Sequence, residues 1–336
     1  MSEREVDRPL SWQRDDWHRL VELIERERLP HALLLAGPAG LGKGHFAELV
    51  IARLLCAAPH QATMGAVACG RCHGCSMRLA GHHPDLLTVA PADQGRLIRI
   101  DTVRGINDFL AQTAQQGGYR IVRLNGAEAM TIGAANALLK RLEEPGPRTL
   151  FLLLSDMPSR VMPTVLSRCQ RWSFTAPSFD ECLPWLVERL AGEDDARFWW
   201  RVAGGMPLAA VAQGESEARK LRQRLTELFD ALVRGAEPVA EAARLDRQQL
   251  GTILGYGISW LEDLIRLGLS GNVESLRNPD LLSLYRQAVK NARVRDWFRL
   301  LDYAREQRRL IAQGSNPNPR LVLEAWLIRW AALLRS

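Results

Sequence analysis

Three groups of residues in this sequence combine side-chain type and spacing in a way that could do chemistry. The first is Gly37-Pro-Ala-Gly-Leu-Gly42-Lys43-Gly44, a GxxxxGK run. Glycines at this spacing let backbone N–H groups turn toward a phosphate, and the lysine can reach β and γ oxygens, so the run reads as a phosphate-cradling loop. A hydrolysing loop carries Ser or Thr after the lysine as a Mg²⁺ ligand. Gly44 stands there and has no hydroxyl to offer. The plainer alternative is a glycine-rich turn that only packs.

The second group is Cys56, Cys69, Cys72 and Cys75. Cys-x2-Cys-x2-Cys with a fourth cysteine upstream supplies four thiolates at a turn spacing suited to tetrahedral Zn²⁺, and four ligands leave no open position, so a zinc here is structural. An iron–sulfur cluster shares the spacing, but Leu79 stands where its next cysteine is expected. Unliganded thiols are the remaining alternative, and His60, His73, His82 and His83 lie close enough in sequence to replace a cysteine. Cys169 and Cys182 stand alone and read as buried structural thiols. The third group is Ser167-Arg168-Cys169, which by itself says little, because most arginines make surface ion pairs worth about 0–1 kcal/mol.

The elements that must position these groups can be read from apolar runs. Strands are expected at 32–36, 85–90, 120–124, 149–154 and 170–174, with helices at 42–55, 101–115 and 132–144, the last stopped by Pro145-Gly146. Alternation of strand and helix is the pattern of an α/β domain with a parallel sheet, and it places the glycine loop between a strand and a helix, as phosphate binding requires. In such a domain a later strand delivers the acidic pair that holds Mg²⁺ and positions water. After 120–124 the chain has Asn125 and Gly126 instead, and Glu128 falls two to three residues too far along.

From Phe179 onward apolar residues recur at three and four, as in Leu183, Leu186, Val187 and Leu190, so the second half is all-helical. Boundaries are expected near Ala176 and Gln213, giving an α/β domain over 1–175 with the cysteine module at about 56–75, a small helical domain over 176–212 and a helical domain over 213–336. The final helix, 321–334, is apolar nearly all round and is expected to be buried. Arg286, Lys290 and Arg293 fall on one helix face, a solvated face in preference to a nucleic-acid stripe. Trp185, Trp199, Trp200, Trp297, Trp326 and Trp330 sit at helical positions beside Leu and Val, as core or subunit-interface residues do.

Composition bounds the function classes. In 336 residues, 47% hydrophobic and 24% charged side chains match an ordinary folded chain and exclude disorder or a fibrous repeat. A formal charge of +6 permits nucleic acid nearby without demanding it. The opening MSEREVDRP has no apolar h-region, so a cytoplasmic location without a secretory signal is expected, and with it cysteines that are not paired as disulfides.

Taken together, these residues resemble the AAA+ clamp-loader family of the bacterial DNA polymerase III holoenzyme. Pro30-His-Ala-Leu-Leu-Leu-Ala-Gly-Pro38 leads into the loop, and the cysteine module follows its helix. His82-His-Pro-Asp-Leu-Leu87, Ile100-Asp-Thr-Val-Arg104, Ala135-Asn-Ala-Leu-Leu-Lys-Arg-Leu-Glu-Glu-Pro145 and Ser167-Arg168-Cys169 come in family order, and Asn316-Pro-Asn-Pro-Arg-Leu-Val-Leu-Glu324 matches near the end. The likeness is dense over 9 to about 210. It implies an AAA+ α/β P-loop domain with a parallel sheet and a zinc-module insertion, then a small helical lid domain and an all-α collar that oligomerises. It further implies a hetero-pentamer with motor subunits of gamma/tau type and a delta subunit, which opens the sliding clamp and places it on primer-template DNA. Within that family the stationary member has a degenerate pocket and lends its neighbour a trans-acting arginine finger, here Arg168. Gly37, Gly40, Gly42 and Lys43 are the positions for phosphate, with binding left open and ATP hydrolysis not expected. Cys56, Cys69, Cys72 and Cys75 are the zinc ligands. An active AAA+ motor, with Glu128 as the catalytic carboxylate, is the alternative, and the missing lid arginine in Gly204-Gly-Met-Pro-Leu-Ala-Ala210 speaks against it.

Overall fold

The computed structural model describes residues 8–63, 65–92, 96–116, 118–312, 315 and 317–335. Residues 1–7, on which the targeting expectation rests, and Gly314 and Asn316 of the C-terminal turn lie outside them. Two compact units emerge, Met1–Trp185 with Met206–Ala209, and Leu186–Gly205 with Ala210–Ser336.

The first unit opens with helix α1 (Arg14–Glu25) and strand β1 (Ala32–Ala36), followed by α2 (Lys43–Leu55), a short hairpin of β2 (His60–Ala62) and β3 (Gly65–Val67), and α3 (His73–Leu79). It continues through β4 (Leu86–Val89), α4 (Ile100–Ala111), β5 (Arg120–Asn125), α5 (Ile132–Glu143), β6 (Thr149–Ser155), the single turn α6 (Pro163–Leu166), β7 (Gln170–Ser173) and α7 (Phe179–Val187), the last reaching two residues past the unit's edge. The five longer-range strands form one parallel sheet in the order β4-β5-β6-β1-β7. Every residue of β1 and β6 is buried, which is why these strands read as unbroken apolar runs and not as alternation. Leu33 and Leu35 face one core with Trp17, Phe46 and Trp172, while Leu34 faces the other with Val122, Leu138 and Phe151.

All five expected sheet strands form, within a residue or two at their ends. The helix expected over 101–115 stops at Ala111, because Gln112 turns extended. A buried pair of groups captures the chain beyond it: the Asp85 carboxylate accepts from the backbone N–H groups of Gln115 and Gln116 at 2.9 and 3.0 Å, and Arg120 donates to the carbonyls of Gln112 and Thr113.

The second unit is helical: α8 (Glu193–Val202), the end of α9 (Pro207–Gly214), α10 (Ser216–Val233), α11 (Pro238–Ala243), α12 (Leu250–Ser270), α13 (Leu282–Asn291), α14 (Val294–Ala312) and α15 (Pro319–Leu334). Phe229 lies at the centre of its core, 4.8 Å from the Trp330 ring and 5.7 Å from Trp260, and Trp297 is buried beside Trp330. Two expectations need correction. Helix α15 is not buried all round, since Leu321 is 61% and Ile328 47% exposed while Trp326 and Trp330 turn inward; neighbouring helices cover only one of its sides. Arg293 does not share a helix face with Arg286 and Lys290, because α13 ends at Asn291 and Ala292 is extended.

Helices α12 and α15 meet at Gly257, where an added Cβ would lie 2.1 Å from the Trp326 ring. Gly257→Ala is therefore expected to destabilise the chain by about 1–3 kcal/mol, the usual cost of overpacking, despite alanine's better helix propensity. A denaturant melt checks this, and a stabilised variant would contradict the packing.

Candidate functional site

The glycine loop runs from the end of β1 to the start of α2. Gly42 adopts φ 86°, and a Cβ there would lie 2.7 Å from the Gln13 amide, so only glycine fits. Gln13 is fully buried and donates to the carbonyls of Leu41 and Gly42 at 3.1 and 2.9 Å, and the Trp12 indole also donates to Leu41. The segment before α1 thus clamps the loop. Across the loop, Leu208 donates its backbone N–H to the Gly40 carbonyl at 3.0 Å.

Beside the loop is a pocket of about 330 Å³, lined by Gly40, Lys43, Gly44, Arg123, Asn125, Glu128, Asp156 and Leu208 among others. Of the sequence-selected nucleotide positions, Gly40, Gly42 and Lys43 line this pocket, and Gly37 does not. The Lys43 side chain, 5% exposed, pairs with the Asp156 carboxylate at 2.6 Å and donates to the Pro38 carbonyl at 2.7 Å. Beside Gly44 lies the Arg123 guanidinium, 3.4 Å from where a Cβ would be. Arg123 Nε donates to Asn125 Oδ1 at 2.9 Å and Nη1 pairs with Glu48. Glu48 also faces Arg78 of α3 at 3.7 Å, joining the cysteine module's helix to the P-loop helix. Gly126 is left-handed at φ 74° and opens a tight turn that carries Glu128 back to the pocket, where its Oε1 accepts from the Asp156 N–H at 3.1 Å.

The four selected cysteines also converge. Their sulfurs lie within 4.8 Å of one another, Cys72 and Cys56 at 3.9 Å, against the about 3.8 Å that a tetrahedral ion with 2.3 Å bonds sets between its sulfurs. The backbone N–H of Cys69 points at Cys56 Sγ (3.2 Å) and that of Cys72 at Cys69 Sγ (3.3 Å), donors that favour thiolate. Burial raises the Cys72 thiol, but N–H groups of Cys75 and Ala57 with the neighbouring thiols outweigh it and bring it down to about 6. The N–H of Arg71 leads in lowering Cys69. Burial pushes Cys56 and Cys75 up. A small apolar cluster including Ala52 and Ala68 surrounds the set. The donor set fits one metal ion, and the nearby histidines are not part of it.

Arg168 lies at the end of α6, about 32% exposed and not in the pocket of its own chain. Its Nε donates to Glu143 Oε1 at 2.7 Å, Nη2 pairs with the same oxygen, and Nη1 donates to the Thr164 carbonyl at 2.9 Å. The guanidinium is thereby held in a fixed orientation at the surface. Cys169 and Cys182 are free thiols: burial raises Cys169 to about 11, and the Cys182 S–H points to the Ser178 and Phe179 carbonyls.

Sequence reading missed Arg123, Glu48 and Asp156, and it missed the Trp12-Gln13 clamp. A signal existed for Asp156, a carboxylate directly after the buried strand β6. None marked Arg123 and Glu48, which stand 75 residues apart in helix and strand.

The description "DNA polymerase III, delta subunit" matches residues 12–178, and "DNA polymerase III, delta subunit, C terminal" matches 216–332. DNA polymerase III subunit delta' of Pseudomonas aeruginosa is 35% identical over 327 residues, covering 96% of this chain and 97% of that protein. The Yersinia pestis protein of the same name is 30% identical over 331 residues, covering 97% and 96%, and that of Escherichia coli K12 is 31% identical over 256 residues, covering 76% and 75%. With the α/β unit and the helical unit both matched and identity carried across nearly the whole length, this chain belongs to the family of the DNA polymerase III delta' subunit.

Proposed function

We infer that the chain is a non-hydrolysing subunit of the polymerase III clamp loader. It joins gamma/tau-type motor subunits and a delta subunit in a hetero-pentamer that loads the sliding clamp on primed DNA, and it lends Arg168 to a neighbour's ATP. Helical residues 176–212 act as the lid and 213–336 as the collar through which the subunits assemble. The observation that carries this reading is the pairing of a P-loop stripped of Mg²⁺ and water machinery with an arginine held outward at the surface. An arginine supplied in trans stabilises charge on another chain's phosphate without turnover in its own. Among the described residues no helix is long and apolar enough to cross a membrane.

The four cysteines would hold one zinc. Four sulfurs all within 4.8 Å of one another suit a single tetrahedral ion better than a multi-iron cluster, which spreads its four thiolates over two or more metal atoms. Bound there, zinc supplies no reaction chemistry and only ties the hairpin to α3.

The active-motor alternative has one observation on its side, that Glu128 lines the pocket. Its Oε1 is already taken by the Asp156 amide, and Gly44 and Asn125 leave it without a metal. The purified chain is therefore expected to show no Mg²⁺-dependent ATPase above background, while mixing it with motor and delta subunits restores DNA-stimulated hydrolysis. Turnover by the chain alone that disappears in Lys43→Ala would overturn this assignment.

A further inference from the structure

We propose that the P-loop pocket is closed to nucleotide by the chain's own side chains, with the Asp156 carboxylate standing against Lys43 in place of a phosphate and the Arg123 guanidinium standing beside Gly44 in place of a divalent metal. The inference deepens the reading of a non-hydrolysing subunit but stands on the pocket alone, whatever the chain assembles with.

A phosphate-cradling lysine serves by offering uncompensated charge. Lys43 offers none: its ammonium, 5% exposed, is bound to Asp156 at 2.6 Å and to the Pro38 carbonyl at 2.7 Å. The ammonium is buried although the Asp156 carboxylate is about half exposed, and a phosphate must displace that carboxylate before it gains the lysine's charge. The metal position is filled in the same sense. Arg123 Nη2 is 3.4 Å from where a side chain at 44 would begin, its Nε uses Asn125 Oδ1, and its other end pairs with Glu48. A divalent ion placed there would meet a guanidinium where P-loop enzymes offer it a hydroxyl and a carboxylate.

The charges at the pocket balance. Of the lining residues, Lys43 and Arg123 stand against Asp156 and Glu128, and Glu128 Oε2 is buried with no hydrogen-bond partner among the described residues, a carboxylate oxygen at the pocket wall. A polyphosphate entering this site finds no surplus positive charge. The intact glycine-lysine loop, which by motif alone would signal nucleotide binding, is thus a structural turn held shut by an internal anion.

The test is calorimetric titration of the full chain with ATP and with inorganic tripolyphosphate, each in EDTA and in Mg²⁺. Wild type is expected to give no saturable binding at millimolar ligand. Asp156→Asn, which frees Lys43 while keeping shape, should gain saturable binding in EDTA at least about tenfold tighter than wild type. The gain should vanish in Asp156→Asn with Lys43→Ala, and Mg²⁺ should not tighten it. Asp156→Ser serves as a second release if the first variant melts early. Wild type that binds as tightly as the variant overturns the closure, as does a folded pair of Asp156 variants that bind nothing. Binding that Mg²⁺ strengthens tenfold or more overturns the role given to Arg123. Binding by wild type without turnover would remove this inference and leave the non-hydrolysing assignment standing, whereas turnover would remove that assignment.

Discussion

Arg168→Ala is expected to leave this chain folded and able to assemble, and to silence the ATP site next to it in the reconstituted clamp loader. In the isolated chain Arg168 makes a partly exposed pair with Glu143, whose loss costs about 0–1 kcal/mol, so the melt should barely move. In the complex the same guanidinium would face a transferring phosphoryl group, and removal of an arginine finger commonly lowers the rate about 10³- to 10⁵-fold at the affected site. Because other motor sites would continue, the whole complex should lose less than this in steady-state hydrolysis, and clamp loading should fall with it. Arg168→Lys should rescue poorly: an ammonium cannot reproduce a planar fork already oriented by Glu143 and the Thr164 carbonyl. Normal loading by Arg168→Ala, combined with a large fall in the chain's own melting temperature, would show that the residue serves only its own domain.

The second large effect is expected at the cysteine module. Elemental analysis should find one zinc per chain. Structural zinc contributes about 10–16 kcal/mol of apparent binding free energy in small peptides, so chelation should unfold the module it ties together. The damage should reach β3, whose Ala66 and Val67 pack in the same core as Trp17, and stop before the central sheet. Hydrogen exchange on Cys72→Ser or on chelated protein should show lost protection over 56–80, with β1, β5 and β6 still protected.

The pH dependence has a definite sign. In the metal-free chain Cys72, near 6, is mostly ionised at neutral pH, whereas burial keeps Cys56 and Cys75 protonated. Zinc must displace those two protons, and near pH 6 a third from Cys72, so its affinity should fall as pH falls, by at least about 100-fold per unit between pH 8 and 6. Stability conferred by the metal is present at high pH and lost on acidification. Iron with visible charge-transfer absorption, or a pH-independent affinity, would contradict a four-thiolate zinc.

The family was legible before any fold because its motifs are local in sequence. The glycine-lysine loop sits between a buried strand and its helix, and both halves of that context can be read from apolar runs and turn residues within about twenty positions. The sheet strands were found for the same reason, each being a short apolar run bounded by turn chemistry. The cysteine set needed only spacing. The absence of a hydroxyl at Gly44 and of carboxylates at Asn125 and Gly126 was visible as plain identity.

What the sequence left undecided depends on which elements the sheet order brings together. The hairpin of β2 and β3 and the helix α3 carry weak apolar patterns, and their place is set by the cysteines and by Trp17 and Val21 of α1, not by their own periodicity. Helix α4 stops four residues early because a buried Asp85, on the neighbouring strand's approach, captures the next N–H groups. The half-exposed face of α15 was hidden because leucine and isoleucine read alike whether or not a neighbouring helix covers them. Above all, the state of the pocket was not readable. By itself Lys43 looks free to meet a phosphate, and Arg123 looks like any strand arginine. Only when β1, β5 and β6 lie side by side in parallel register do Lys43 and Asp156, or Arg123 and Glu48, come within ion-pair distance. Residue types and local spacing thus determined the family, the loop and the set of four cysteines by themselves, because each is specified by a few adjacent residues. Whether the loop is open to an anion was decided by the tertiary structure, because electrostatic partnership depends on distance in space, which chain separation does not encode.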